Sequence, residues 1–186
     1  QVNSYTSSEQ RMPSVSALED GGFIVTWMDS SGHSGGSSWD VRGQLYDGTI
    51  APVGEEFRVN SYTSSSQYEP EVVGLKDGGF VVTWRDDSGH DGGSSNDVWA
   101  RVFNADGSES VEEFRVNADQ YSGSQYQPSV GALSNGGFVV TWRDDSGGSH
   151  NDGTGAGSGY DVWARVLNAD GTEVVDEFRV NSYISS

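Results

Sequence analysis

Apolar and polar residues alternate along short stretches of this chain, and the same stretches come back twice. Phe23, Val25 and Trp27 alternate with Ile24 and Thr26, Val98, Ala100 and Val102 alternate with Trp99, Arg101 and Phe103, and Val15 and Ala17 alternate with Ser14 and Ser16. Period-two alternation rich in β-branched and aromatic residues predicts strands. Phe23-Ile24-Val25-Thr26-Trp27 returns as Phe80-Val81-Val82-Thr83-Trp84 and as Phe138-Val139-Val140-Thr141-Trp142, each behind a Gly-Gly pair, with a period of about 57 residues. A period of that size marks one supersecondary unit stacked on its own duplicates.

The rest of each unit follows in a fixed order. Pro13, Pro70 and Pro128 open it; an acidic Gly/Ser loop follows the Trp strand; Asp40-Val41, Asp97-Val98 and Asp161-Val162 start the next strand. Phe57-Arg58-Val59-Asn60, Phe114-Arg115-Val116-Asn117 and Phe178-Arg179-Val180-Asn181 close it. Asp20-Gly21, Asp77-Gly78 and Asn135-Gly136 predict two-residue hairpins, and Asn104-Ala105-Asp106-Gly107 and Asn168-Ala169-Asp170-Gly171 predict turns between the third and fourth strands. The expected fold is all-β: three four-stranded antiparallel repeat units (9–65, 66–122 and 123–186) in a β-propeller-like arrangement, with a three-sheet prism-like domain as the alternative. No window carries an apolar stripe at helical spacing, so almost no helix is expected.

Residues 1–8 are a surplus. Gln1-Val2-Asn3-Ser4-Tyr5-Thr6-Ser7-Ser8 repeats Arg58-Val59-Asn60-Ser61-Tyr62-Thr63-Ser64-Ser65 almost letter for letter, so the chain reads as an excerpt from a longer array. Three blades do not close a propeller, which needs 4 to 8. Val2, Asn3, Phe178 and Val180, on the duplicated end strands, are therefore candidates for self-association through open edges.

Composition narrows the classes. A chain of 186 residues with 33% hydrophobic and 11% aromatic residues can bury a core. A net charge of -18, from 28 acidic and 10 basic residues, argues against nucleic acid and anionic membranes as partners. Cysteine is absent, which excludes disulfide and thiolate chemistry. No apolar stretch approaches the roughly 20 residues that span a bilayer, and no signal-peptide pattern opens the chain, so an export signal is expected outside this segment.

The acidic loops carry the candidate chemistry. Asp29, Asp40, Asp86, Asp87, Asp91, Asp97, Asp144, Asp145, Asp152 and Asp161 offer carboxylates on a pliable backbone, and calcium takes six to eight oxygens in irregular geometry. The spacing is not that of an EF-hand, and a solvated loop is the alternative. His33, His90 and His150 occur once per repeat; repeat symmetry keeps them apart, so they read as loop residues able to touch a ligand rather than as catalysts. Trp39 and Tyr160, near the loop exits, suit stacking on sugar rings together with His33 and His90, as do Tyr5, Tyr62, Tyr68, Tyr121, Tyr126 and Tyr183. Trp99 and Trp163 recur at one repeat position beside small residues, which favours packing between sheets. Arg58, Arg115 and Arg179 are expected in ion pairs.

Asp-Gly-Gly-Phe-Val-Val-Thr-Trp, Asp-Val-Trp-Ala-Arg-Val-Phe-Asn-Ala-Asp-Gly and Glu-Phe-Arg-Val-Asn resemble the tandem repeats of very large secreted bacterial proteins of the hemolysin-type calcium-binding and adhesin class, over essentially all of residues 1–186. The Gly-Gly-Phe-x-Val-Thr-Trp segment also resembles the Asp-box turn of sialidase-type propellers, but departs from its Ser-x-Asp-x-Gly-x-Thr-Trp order, so no catalytic residue is carried over. The resemblance implies an extracellular, bacterial, non-enzymatic binding or adhesion module with calcium-ordered loops and a glycan or cell-surface ligand. The alternative is a self-assembling structural subunit of a fibre or sheet joined through edge strands. A hydrolase needs two convergent carboxylates, and every acidic loop here is one of three similar copies.

Overall fold

Strands form where the alternation predicts them. The computed structural model describes residues 1–36, 38–92, 96–117, 123–145 and 160–182. The first sheet contains β1 (Gln10–Ala17), β2 (Phe23–Asp29), β3 (Asp40–Tyr46) and β4 (Pro52–Arg58). The second contains β5 (Gln67–Gly74), β6 (Phe80–Asp86), β7 (Asp97–Phe103) and β8 (Glu109–Arg115). The third contains β9 (Gln125–Ala132), β10 (Phe138–Asp144), β11 (Asp161–Leu167) and β12 (Glu173–Arg179). Each is an antiparallel meander with strands in sequence order. Helix among the described residues is limited to single 3-10 turns at His33–Gly35 and His90–Gly92, and none is long and apolar enough to cross a membrane.

The sheets stack face to face as propeller blades, with β1, β5 and β9 innermost and β5 packed against β1 as β9 is against β5. At the first junction Ile24, Val41, Leu45 and Phe57 of one blade meet Phe80, Val82, Trp84, Trp99 and Phe103 of the next. At the second, Val81, Val98, Val102 and Phe114 meet Phe138, Val140, Trp142, Trp163 and Leu167. Every strand thus sends one face back and one forward, which explains why Trp99 and Trp163 are buried as packing residues, as their repeat position suggested.

The hairpins differ from the expected two-residue turns. Gly21 N–H donates to Leu18 O (3.1 Å) and Leu18 N–H to Gly22 O (2.9 Å), a longer loop in which Gly21 takes φ 86°. Such loops end in a left-handed residue. The second glycine has another role: a Cβ on Gly22 would fall 2.3 Å from Tyr46 O, and the same clash recurs at Gly79 and Gly137.

The β3–β4, β7–β8 and β11–β12 links are tight turns. Asp106 Oδ1 accepts from the Ser108 amide and hydroxyl, as Asp170 does from Thr172 and Asp47 from Thr49. Those hydroxyl bonds, then the backbone bonds, hold all three carboxyls below their ordinary value. A depressed folded-state pKa stabilises above the unfolded value and is lost as pH falls through the folded one. Asp106→Ala should therefore lower the melting temperature at pH 7, with a difference that shrinks towards pH 2; a gap independent of pH would contradict this. In the first copy Ile50 stands where Gly107 does, at φ 71° and 73% exposed. A left-handed β-branched residue costs about 1–2 kcal/mol, so Ile50→Gly should raise the melting temperature by about 2 °C.

Candidate functional site

The end of each blade where β1, β5 and β9 begin gathers most of the residues singled out in the sequence. Asp29 lies directly opposite Asp40 in the β2–β3 register, as Asp86 does Asp97 and Asp144 does Asp161. Like charges facing each other across a strand pair repel, and five of these six are buried. Donors supplied by the chain answer the charge. Asn60 Nδ2 donates to Asp40 Oδ1 (2.9 Å) and to Gln67 Oε1 (3.1 Å), and Gln67 Nε2 donates to Asp86 Oδ2 (2.9 Å). This relay runs from a carboxylate of the first blade through two amides to a carboxylate of the second. Asn117 and Gln125 build the same relay from Asp97 to Asp144. Asn60 Oδ1 and Asn117 Oδ1 accept from Val41 and Val98 N–H, both at 2.8 Å. Asp87 and Asp145 accept from Ser66 and Ser124 N–H. The carboxylates expected to hold calcium thus accept hydrogen bonds from donors of their own blade; Asp152 and the side chain of Asp91 lie outside the described residues, as do His150, Tyr121 and Tyr183.

His33 and His90 line two equivalent grooves below this rim. Tyr5 stacks on His33 with ring centroids 3.8 Å apart, and Tyr62 on His90 at 4.0 Å, with Trp99 on the other face of His90 at 4.0 Å. The second groove, about 730 Å³, is walled by Glu112, Glu113 and Arg101 as well. Each His Nδ1 meets a serine hydroxyl at 2.6 Å, Ser31 or Ser88, which also bonds the neighbouring Asp29 or Asp86. His33 Nε2 faces Glu56 Oε1 at 3.4 Å and His90 Nε2 faces Glu113 Oε1 at 3.6 Å. Asp29, His33 and Glu56 place one potential ligand atom each within 4.8 Å of one another and could hold a metal ion; a histidine nitrogen among them suits a transition metal better than calcium. In the first blade Arg42 fills the position of Trp99. Burial pushes its guanidinium below the ordinary value, against the opposing fields of Asp40, Asp29 and Glu56.

Trp39 and Tyr160 sit elsewhere, on the rim nearer the inner strands. Arg11 lies over Trp39 at 5.5 Å and Arg143 over Tyr160 at 4.1 Å. Tyr160 and Arg143 belong to a ladder crossing the second and third blades: Arg85 lies 4.5 Å from Tyr68 and 5.4 Å from Tyr126, and Arg143 5.2 Å from Tyr126. The four expected ligand-binding residues therefore lie apart, His33 and His90 in one groove each and Trp39 and Tyr160 on the rims of the first and third blades.

Beside this ladder are residues that the sequence reasoning passed over. The innermost strands are bulged at one equivalent point, where Met12, Glu69 and Gln127 adopt φ 51°, 55° and 52°. Positive φ at a non-glycine residue is strained and clusters at functional sites, and bulges re-aim side chains there. Only the middle blade carries carboxylates at this edge: Glu69 and Glu71 replace Met12 and Ser14 of the first copy and Gln127 and Ser129 of the third. Glu69 Oε2 accepts from Gln127 N–H (2.8 Å) and lies 3.8 Å from Arg85 Nε, while Glu71 Oε2 accepts from Ser14 Oγ (2.9 Å). One reaches the following inner strand, the other the preceding one. The available signal was that they break the repeat.

No family model matches the chain, and no curated protein does. Solved structures match its fold. An endo-arabinase from Bacteroides thetaiotaomicron VPI-5482 shares 13% identity with TM-score 0.57, over 91% of this chain and 61% of that one. A Hadza microbial sialidase shares 10% with TM-score 0.61, over 88% and 36%. A thermostable family-43 glycoside hydrolase shares 11% with TM-score 0.54, over 98% and 61%. The chain thus spans less than two thirds of these neighbours. They correct the expectation of a non-enzymatic, lectin-like adhesin or structural subunit built from hemolysin-type calcium-binding repeats: no such repeat is among them, and the folds that match are those of glycoside hydrolases and a sialidase.

The relay predicts that Asn60→Asp, which keeps shape but removes both donors and adds a third buried charge beside Asp40, costs at least about 3 kcal/mol in urea unfolding. A loss under 1 kcal/mol would show that the relay is incidental.

Proposed function

We propose that this chain forms part of a carbohydrate-processing enzyme of the propeller type, a glycoside hydrolase whose reacting carboxylates are Glu69 and Glu71. The observation that carries this is the break in repeat symmetry: two carboxylates appear at the strained inner edge of the middle blade, where the other copies have neutral residues. Hydrolysis of a glycoside needs one carboxyl group to protonate the leaving oxygen and a second, as nucleophile or as base for water, on the other side of the anomeric carbon. Glu69 and Glu71 stand two residues apart on the inner strand of the middle blade, Glu69 Oε2 accepting from Gln127 N–H and Glu71 Oε2 from Ser14 Oγ. Arg85 places a positive charge beside Glu69, and the Tyr68, Tyr126 and Tyr160 rings offer faces on which sugars stack. A glycan also fits a chain whose charge of -18 repels nucleic acid. The shared fold of the arabinase and hydrolase supports the reading.

The test is release of sugars from arabinan, xylan and sialyllactose, followed by chromatography. Release from at least one is expected, with Glu69→Gln and Glu71→Gln each lowering kcat about 100-fold or more while the circular dichroism stays unchanged. No release from any of the three, or full activity in both variants, would overturn the assignment.

A further inference from the structure

The two outer faces of the three-blade stack are the two halves of one blade junction. Val41 and Val98 are 0% exposed where a following blade covers them, and their equivalent Val162 is 42% exposed. Val59 and Val116 are 0% exposed, and Val180 is 55% exposed. Phe178 likewise is 42% exposed, where Phe57 and Phe114 pack into the junction cores. The polar relay is split in the same way. Asn181 Nδ2 donates to Asp161 Oδ1 (2.8 Å) as Asn60 does to Asp40, which is the forward half. Gln10 Nε2 donates to Asp29 Oδ2 (3.0 Å) as Gln67 does to Asp86, which is the receiving half. In the chain itself Gln10 Oε1 accepts from Asn3 Nδ2 (3.2 Å), and Asn3 is the sequence equivalent of Asn60 and Asn181.

We propose that a second copy of this chain docks between these faces, the third blade of each on the first blade of the other, to close a six-bladed ring. Continuity with the internal junctions names the occupant: the exposed valines and Phe178 meet a face carrying Phe23, Val25 and Trp27, the counterparts of Phe80, Val82 and Trp84. Arithmetic names the number, since two copies of three blades fall within the range of 4 to 8 that closes and three copies do not. A head-to-tail interface makes a closed ring when the rotation closes. In the ring the partner's Asn181 takes Gln10 from Asn3, so residues 1–6 give up their place on the first blade. The faces do the joining, and strand edges do not.

Light scattering coupled to size exclusion, from micromolar to millimolar chain, tests this together with small-angle X-ray scattering. The expected species has twice the 19.9 kDa chain mass and the profile of a compact disc. Val162→Asp and Val180→Asp, both solvent-facing in the single chain, should each give folded monomers by circular dichroism. A monomer at every concentration, mass that climbs without limit, or dimers that persist in both variants would overturn the proposal. The readout is mass, so it stands or falls independently of the hydrolase assay.

Discussion

The relay of Asp40, Asn60, Gln67 and Asp86 is the constraint on which the stacking of blades depends. Two strands that end in facing aspartates place like charges in a buried rim, where an unanswered carboxylate is costly. The repeat resolves this by lending each blade's carboxylate the amide that follows its last strand, and by lending that amide's other bonds to the first strand of the next blade. The amide pairs Asn60–Gln67 and Asn117–Gln125 thereby tie each blade to the next in register. The apolar junctions supply the bulk of the stabilisation, for burial of one Trp or Phe is worth several kcal/mol against Ala, while the relay fixes how the faces meet.

That division of labour explains where variation is tolerated. Arg42 stands in the place of Trp99, and the groove below the rim keeps its stacked Tyr5 and His33 without the tryptophan. Glu69 and Glu71 stand where other blades have neutral residues, on the inner edge that the relay leaves free. A scaffold whose junctions are specified by the repeated positions can change the non-repeated ones at the axis at little cost. That is where a site can be built on a duplicated fold.

Much of the fold was legible because strand periodicity, Gly-Gly pairs and Asn/Asp-Gly turns all act locally. The two-residue turn is not what forms because a glycine with positive φ closes two-residue and longer hairpin loops alike, and the longer loop shows only in the Leu18 N–H to Gly22 O bond. The packing role of Trp99 and Trp163 was readable from their recurrence. The aspartates recur as well, and their shared position at strand ends gave no hint that Asn60 and Gln67, 20 and 19 residues away from Asp40 and Asp86, would come to them. Glu69 and Glu71 were overlooked for the opposite reason: attention to what repeats conceals what does not. The class suggested by the repeated motifs failed because those motifs encode blade geometry, which unrelated activities share.

The most direct test of the account is a double-mutant cycle on Asn60→Ala and Gln67→Ala, read by urea unfolding. If the relay couples adjacent blades, the two losses should fall short of additivity by about 1–2 kcal/mol. Additivity within about 0.3 kcal/mol would contradict it, leaving the apolar faces alone to set how one blade sits on the next.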